Sequence, residues 1–219
     1  KQLGAIAKRT NAFKLNEDVV LPIKSIASFC DWVEKINERE ELYIQNKFLE
    51  SFEENLERAR NASPVSEIYE RIPALKSLSD NKKKELEQED PKNIRERLAI
   101  KKFLKELKEI LRGYDNWLKA FNNLYDNTVN NVLVIATHMH AGDGNIHVNI
   151  PVFSNDLDMM SRAEALVDEV MEKTVSLGGV VSGEHGIGIT KIKYLEDSTI
   201  KELSDYRKTI DPNGIMNPE

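Results

Sequence analysis

All four histidines of this 219-residue chain fall in two short glycine-rich segments. The first reads Thr137-His138-Met139-His140-Ala141-Gly142-Asp143-Gly144-Asn145-Ile146-His147-Val148-Asn149. The second reads Ser182-Gly183-Glu184-His185-Gly186-Ile187-Gly188. Imidazole is the side chain best matched to metal ligation and to proton transfer near neutral pH. A single histidine is more often a hydrogen-bonded core residue than a ligand, but four confined to two such segments point to a site. His140 and His147 with Glu184 make a His/His/carboxylate set that leaves coordination positions open. That set suits catalytic zinc and equally non-haem iron, so the residues alone do not choose the metal.

The elements that must position these groups can be read locally. Asn131-Val132-Leu133-Val134-Ile135-Ala136 is an apolar, β-branched run typical of a buried strand. After the first segment, Ile146, Val148, Ile150 and Val152 alternate with other residues, as in a half-buried strand. Asp143-Gly144 between them is a strong two-residue hairpin signal. With those two residues at the turn, 142 faces 145, 140 faces 147 and 138 faces 149. His140 and His147 become cross-strand neighbours with Cβ atoms roughly 5 Å apart. His138, His140, His147 and Asn149 then share one face, while Ile146, Val148 and Ile150 pack on the other. A wider turn changes the register but keeps both histidines near its mouth.

The middle of the chain reads as charged helix. Ile26, Phe29, Val33 and Ile36 recur at helical spacing, as do Phe48, Phe52 and Leu56. Pro64 and Pro73 interrupt the pattern. Asp90-Pro91 is a helix start, with Asp as cap and Pro in the first turn, followed by Ile94, Leu98, Phe103, Leu107 and Ile110 on one face. Trp117, Phe121 and Leu124 continue after Gly113. Helices over 157–176 and 198–210 flank the second histidine segment, with stripes of Leu157, Met160, Val167 and Val170, then Ile200, Leu203 and Ile210. The Lys/Glu richness of the middle is a solvated surface in the simplest reading and a docking platform in the sharper one. The expected fold class is α+β: a mainly antiparallel sheet with helices packed on one side, plus a charged helical middle segment.

Composition narrows the classes of function. Net charge is −6, which offers no electrostatic footprint for nucleic acid. No run is long and apolar enough to form a transmembrane segment, and no signal peptide is visible. Cys30 is the only cysteine, so the chain has neither a disulfide framework nor an iron–sulfur ligand set of its own. Gly183-Glu184-His185-Gly186-Ile187-Gly188-Ile189 is not a phosphate-binding P-loop, because Ile189 stands where lysine is needed. Gly142-Asp143-Gly144 lacks the third glycine of a dinucleotide fingerprint, so these glycines are read as turns.

Four segments in order resemble the C-terminal domain of FAD-linked oxidases of the vanillyl-alcohol oxidase type. They are Asn16-Glu17-Asp18-Val19-Val20-Leu21-Pro22, His140 to His147, Ser182 to Gly188, and Asp211-Pro212-Asn213-Gly214-Ile215-Met216-Asn217-Pro218. That group includes D-lactate dehydrogenases, the glycolate oxidase D subunit and D-2-hydroxyglutarate dehydrogenase. The resemblance implies that residues 1–39 start this domain, 40–127 are a helical insertion, and 128–219 carry the metal and catalytic motifs. It implies an enzyme that oxidises a D-2-hydroxy acid and passes hydride to FAD, the flavin being held mainly by an N-terminal domain that this sequence lacks. In that reading His140, His147 and Glu184 hold a divalent metal (Zn, Mn or Fe), and His185 is the general base. Asn149 binds substrate, Asn217 lies near the flavin, and Arg9 is the candidate for the substrate carboxylate. His138 is an addition to the common pattern.

Arg9-Thr10-Asn11-Ala12-Phe13 is closest to large bacterial members in which an iron–sulfur segment follows, so an iron–sulfur domain or subunit is an expected partner. The expected location is cytoplasmic, or peripheral to the inner face of the membrane. The fragment alone is expected to be catalytically silent. Two other classes also fit the histidines: a flavin-free metalloenzyme, and a non-catalytic module held together by a structural metal.

Overall fold

The computed structural model describes residues 12–62 and 68–216. Its elements run β1 (Ala12–Val20), α1 (Ile26–Ala62), α2 (Ile72–Glu87), α3 (Pro91–Glu96), α4 (Leu98–Ile110), α5 (Asp115–Val129), β2 (Ala136–His140), β3 (Asn145–Phe153), α6 (Leu157–Ser176), α7 (Gly188–Lys191) and α8 (Asp197–Ile210). The three strands form a small antiparallel sheet in the order β1-β3-β2. The fold is therefore α+β and mostly helical. No helix among the described residues is long and apolar enough to cross a membrane.

The chain divides into two compact units. One is built chiefly on Cys30–Ile135 and is helical. Its core is made by Phe48, Phe52 and Leu56 of α1, Leu75 of α2, Ile100, Phe103 and Leu107 of α4, and Phe121 of α5. Phe52 meets Phe103 edge-on at 5.1 Å between ring centroids, and Phe48 meets the same ring at 5.7 Å. Such edge-to-face pairs place the positive rim of one ring on the negative face of the next. Asp90 caps α3 as expected, its side chain accepting from the Lys92 N–H with Pro91 in the first turn.

The face expected to run from Ile94 to Ile110 is interrupted. Arg97 adopts φ 56° and separates α3 from α4. Its guanidinium forks onto Glu41, with Nε donating to Oε1 at 2.5 Å and Nη2 to Oε2 at 2.8 Å. That bidentate pair compensates a backbone conformation costly for a side-chain-bearing residue. As a result Leu98 is turned outward.

The apolar run before β2 also departs from expectation. Leu133 and Ile135 are buried, but the ladder begins only at Ala136. The reason is Asn37: its side chain accepts from the Ile135 N–H at 2.8 Å and donates to the Ile135 carbonyl at 3.0 Å. Both backbone groups that a strand would use are already satisfied by a side-chain amide.

The second unit gathers 14–29, 136–149 and 161–219. Ile146 and Val148 of β3 are buried as expected, but so is every other residue of that strand, His147 and Asn149 included, so it is buried on both faces and not half-buried as the alternation predicts. Further along α6 the buried residues are Ala163, Leu166, Val170, Met171 and Thr174; of the expected stripe Val170 is buried, Met160 and Val167 are half-buried, and Leu157 at the start is exposed. No residue of α8 is buried, so its Ile200/Leu203/Ile210 stripe is not a core face in this chain.

Candidate metal and proton-transfer site

The hairpin that carries three of the histidines is formed, with a wider turn than the two-residue one expected. Its partners are Ala136 with Asn149, His138 with His147, and His140 with Asn145. The register is thus displaced by two residues. Asp143 donates its N–H to the His140 carbonyl at 3.0 Å, and Gly144 follows at φ 74°. Gly144 is held there by the residue that follows β1: its carbonyl accepts from the Leu21 N–H at 2.9 Å. A Cβ at 144 would lie 2.1 Å from the Leu21 carbonyl oxygen, so only glycine fits. Because side chains alternate with period two, a two-residue displacement leaves the predicted face intact. His138 stacks on His147 at 4.6 Å between centroids, and His140 meets His147 edge-on at 5.8 Å.

The second glycine segment is bound to β1 and not left as a free loop. Val20 and Val180 exchange backbone hydrogen bonds at 2.8 and 2.9 Å. Gly183 then passes so close to β1 and β3 that a Cβ would lie 2.7 Å from Val20 Cγ2 and 2.9 Å from Asn145 Oδ1. Beyond it, the N–H groups of Gly183, Glu184 and His185 all donate to a single oxygen, Oδ2 of Asp18, at 2.6 Å for Gly183 and 3.3 Å for His185. Consecutive amides converging in this way form an anion-binding concavity, and the anion is the chain's own carboxylate. Asp18 is fully buried. Its Oδ1 accepts from Lys191 Nζ at 3.0 Å, and Lys191 also reaches Glu17 Oε2 at 3.0 Å. Burial alone would raise the Asp18 carboxyl. The Glu184 and Gly183 N–H groups and the Lys191 ammonium outweigh it and hold the group well below the usual carboxylate range.

Two side chains singled out by the sequence emerge from this loop. Glu184 accepts from Asn145 Nδ2 at 2.8 Å through Oε1, while its Oε2 lies 3.7 Å from His147 Nε2. His185 turns its Nδ1 toward Asp18 Oδ1 at 3.5 Å, and its ring lies 5.6 Å from that of His147. One donor atom from each of His140, His147 and Glu184 lies within 4.8 Å of the others. Donors of a tetrahedral zinc site, with bonds of about 2.1 Å, sit roughly 3.4 Å apart. Two imidazole nitrogens and a carboxylate oxygen converging within a little more than that range are donor types that a divalent cation takes. Asn149, on the same face, is buried, and its Oδ1 has no hydrogen-bond partner among the described residues.

The structure therefore brings His140, His147, Glu184 and His185 together, with Asn149 on the same strand face. Arg9 and Asn217 lie outside the described residues. The reading from sequence gave no role to Asp18, Lys191 or Asn145. One signal was available for Asp18: aspartate is depleted from strands, yet this one stands directly before Val19-Val20-Leu21. Nothing comparable marks Lys191.

Comparison with known proteins agrees with this architecture. Residues 58–219 match the family model described as FAD linked oxidases, C-terminal domain, and the chain belongs to that family. It is 39% identical over 110 residues to the glycolate oxidase subunit GlcD of Bacillus subtilis, which covers 47% of this chain and 22% of that protein. It is 39% identical over 83 residues to a mitochondrial D-lactate dehydrogenase [cytochrome] of Arabidopsis thaliana, covering 36% of this chain and 15% of the relative. A D-2-hydroxyglutarate dehydrogenase of Stutzerimonas stutzeri is 39% identical over 85 residues, covering 36% and 18%. The match thus spans about a fifth of the length of these relatives, all named for oxidation of 2-hydroxy acids.

Proposed function

We propose that this chain supplies the metal-binding and proton-accepting wall of an FAD-dependent D-2-hydroxy acid dehydrogenase of the D-lactate or glycolate type. The observation that carries the reading is the convergence of His140, His147 and Glu184 beside a histidine whose Nδ1 faces a buried carboxylate.

In this proposal His140, His147 and Glu184 hold a divalent cation. Such a cation is a Lewis acid that lowers the pKa of a substrate hydroxyl. Asn145 fixes the Glu184 carboxylate by its hydrogen bond to Oε1. Asp18 keeps His185 Nδ1 as the protonated nitrogen, which leaves the Nε2 lone pair to take the hydroxyl proton. The supporting logic is that of a general base oriented by a carboxylate. Asn149, with its unpaired Oδ1, offers an acceptor to a substrate donor. Arg9 and Asn217 keep their proposed places at the substrate carboxylate and the flavin.

The described residues do not fit the phosphates of a dinucleotide cofactor. The one set of consecutive amides that converges on an anion is filled by Asp18. A flavin in the intact enzyme supplies the hydride acceptor, and these residues carry the proton side of the oxidation. An iron–sulfur domain or subunit as the next electron carrier, and 40–127 as a helical insertion, belong to the same proposal.

Titration of the polypeptide with Mn²⁺ or Zn²⁺ tests the reading. One cation per chain is expected, lost in His140→Ala and in Glu184→Gln. Undiminished binding in both variants, or no binding by the wild type, refutes it. A screen of D-2-hydroxy acids on the full-length enzyme then tests the substrate class.

A further inference from the structure

His138 stands outside the metal-ligand set yet touches its central member. It is the cross-strand partner of His147, and the two imidazoles stack at 4.6 Å with 18° between their planes. His140 approaches the same ring at 80°, edge to face. Among the described residues His138 is not part of the group whose donor atoms converge. Near-parallel stacked rings also direct their in-plane lone pairs along parallel lines roughly the stacking distance apart, so both cannot meet one ion at bonds of about 2.1 Å.

The imidazole of His147 needs something to fix its rotation. The last torsion of histidine is broad and roughly twofold. The common device is a hydrogen bond from the second ring nitrogen to a carboxylate or carbonyl. Among the described residues His147 makes no such bond through Nδ1; its ring contacts are His138, His140 and His185, and its Nε2 faces Glu184. The flat face of His138 is the contact that restricts rotation out of plane.

We infer that His138 is a positioning residue that acts through its ring face, holding the His147 imidazole in the plane that aims Nε2 at the cation. The inference rests on the proposed metal site. It makes His138 a contributor to cation affinity that donates no electron pair. Stacked aromatic pairs of this kind change affinity by roughly two- to tenfold.

Because His138 is exposed, its substitution does not endanger the fold. The test titrates Zn²⁺ into wild type, His138→Ala and His138→Phe, and follows the His147 ring protons by NMR in the cation-free proteins. His138→Ala should weaken Zn²⁺ binding roughly five- to tenfold and move the His147 ring protons downfield as the ring current disappears. His138→Phe keeps the flat face, so affinity stays within about twofold and the upfield shift persists. Equal weakening in both variants would mean that a His138 nitrogen is used, and would overturn the inference. Unchanged affinity in His138→Ala would also overturn it, even with the metal site intact. A wild type that binds no Zn²⁺ would take down the metal reading and this inference together.

Discussion

Asp18 meets His185 twice. One carboxylate oxygen accepts the His185 backbone N–H at 3.3 Å, and the other lies 3.5 Å from the ring Nδ1. A single buried side chain thus fixes both where the histidine's backbone lies and how its ring is turned. The same oxygen accepts the N–H of Glu184, so the proposed ligand and the proposed base share one anchor.

Replacing that anchor by Asp18→Asn should be severe. The substitution keeps the size of the group but leaves the buried Lys191 ammonium without its Asp18 carboxylate partner. Breaking a buried pair outright costs about 3–5 kcal/mol; Lys191 keeps Glu17, so the loss should fall below that range but above the roughly 1 kcal/mol of an exposed pair. Guanidinium denaturation of the two proteins at pH 7 measures the difference. A loss below about 1 kcal/mol, the range of an exposed pair, would show that the Asp18 network is incidental.

The pH dependence of that difference has a definite sign. The folded state lowers the Asp18 pKa below its unfolded value, so folding favours the ionised form. The stabilisation is complete above the ordinary carboxylate value of about 3.9 and disappears as pH falls through the depressed folded value. The stability gap between wild type and Asp18→Asn should therefore be flat from pH 7 to pH 5 and narrow below about pH 4. A gap that closes between pH 7 and pH 5 would contradict the assignment.

Three glycines of the two motifs should respond in a fixed order to alanine. Gly142 has open space around it and no left-handed backbone, so Gly142→Ala should be nearly neutral. Gly186 has φ 76° and open space, so its alanine variant bears only the backbone cost of about 1–2 kcal/mol. Gly144 adds a collision with the Leu21 carbonyl to a positive φ, and its variant should be the least stable of the three. Melting temperatures of the three variants give the ranking directly.

In the intact enzyme, His185→Ala should separate proton transfer from metal binding. Loss of a general base typically lowers turnover by about two to four decades. Metal content, measured on the same preparation by elemental analysis, should stay unchanged, because the donors on His140, His147 and Glu184 remain. Loss of the metal along with activity would recast His185 as a ligand.

How much of this was legible in the sequence depends on whether the information is local. The hairpin, its histidine face, the Asp90 cap and the α+β class follow from short-range pattern, and they hold. The turn width did not follow, because Asp143-Gly144 is a good two-residue turn in isolation. Leu21, far away in the chain, claims the Gly144 carbonyl and makes the loop wider. The delayed start of β2 has the same origin, since Asn37 satisfies Ile135 from a distant helix. Asp18 was visible as part of a family motif, but its role depends on amides 165 to 167 positions further on. Local periodicity carries no information about such partners.

The junction of Leu21 with Gly144 also bears on the order of events as the chain folds. The histidine hairpin takes its turn geometry from Leu21, at the end of a strand more than a hundred residues earlier, and the Glu184 loop is fastened to that strand. Contacts this distant in sequence form only after long loops have closed, and they dominate the slow part of folding. Two of the proposed donors share one local hairpin, but the third, Glu184, is fastened through Asp18 of that distant strand, so the set is complete only when the long-range contact has formed. Cation uptake should mark the end of folding: a seal on a finished architecture, not a seed for it.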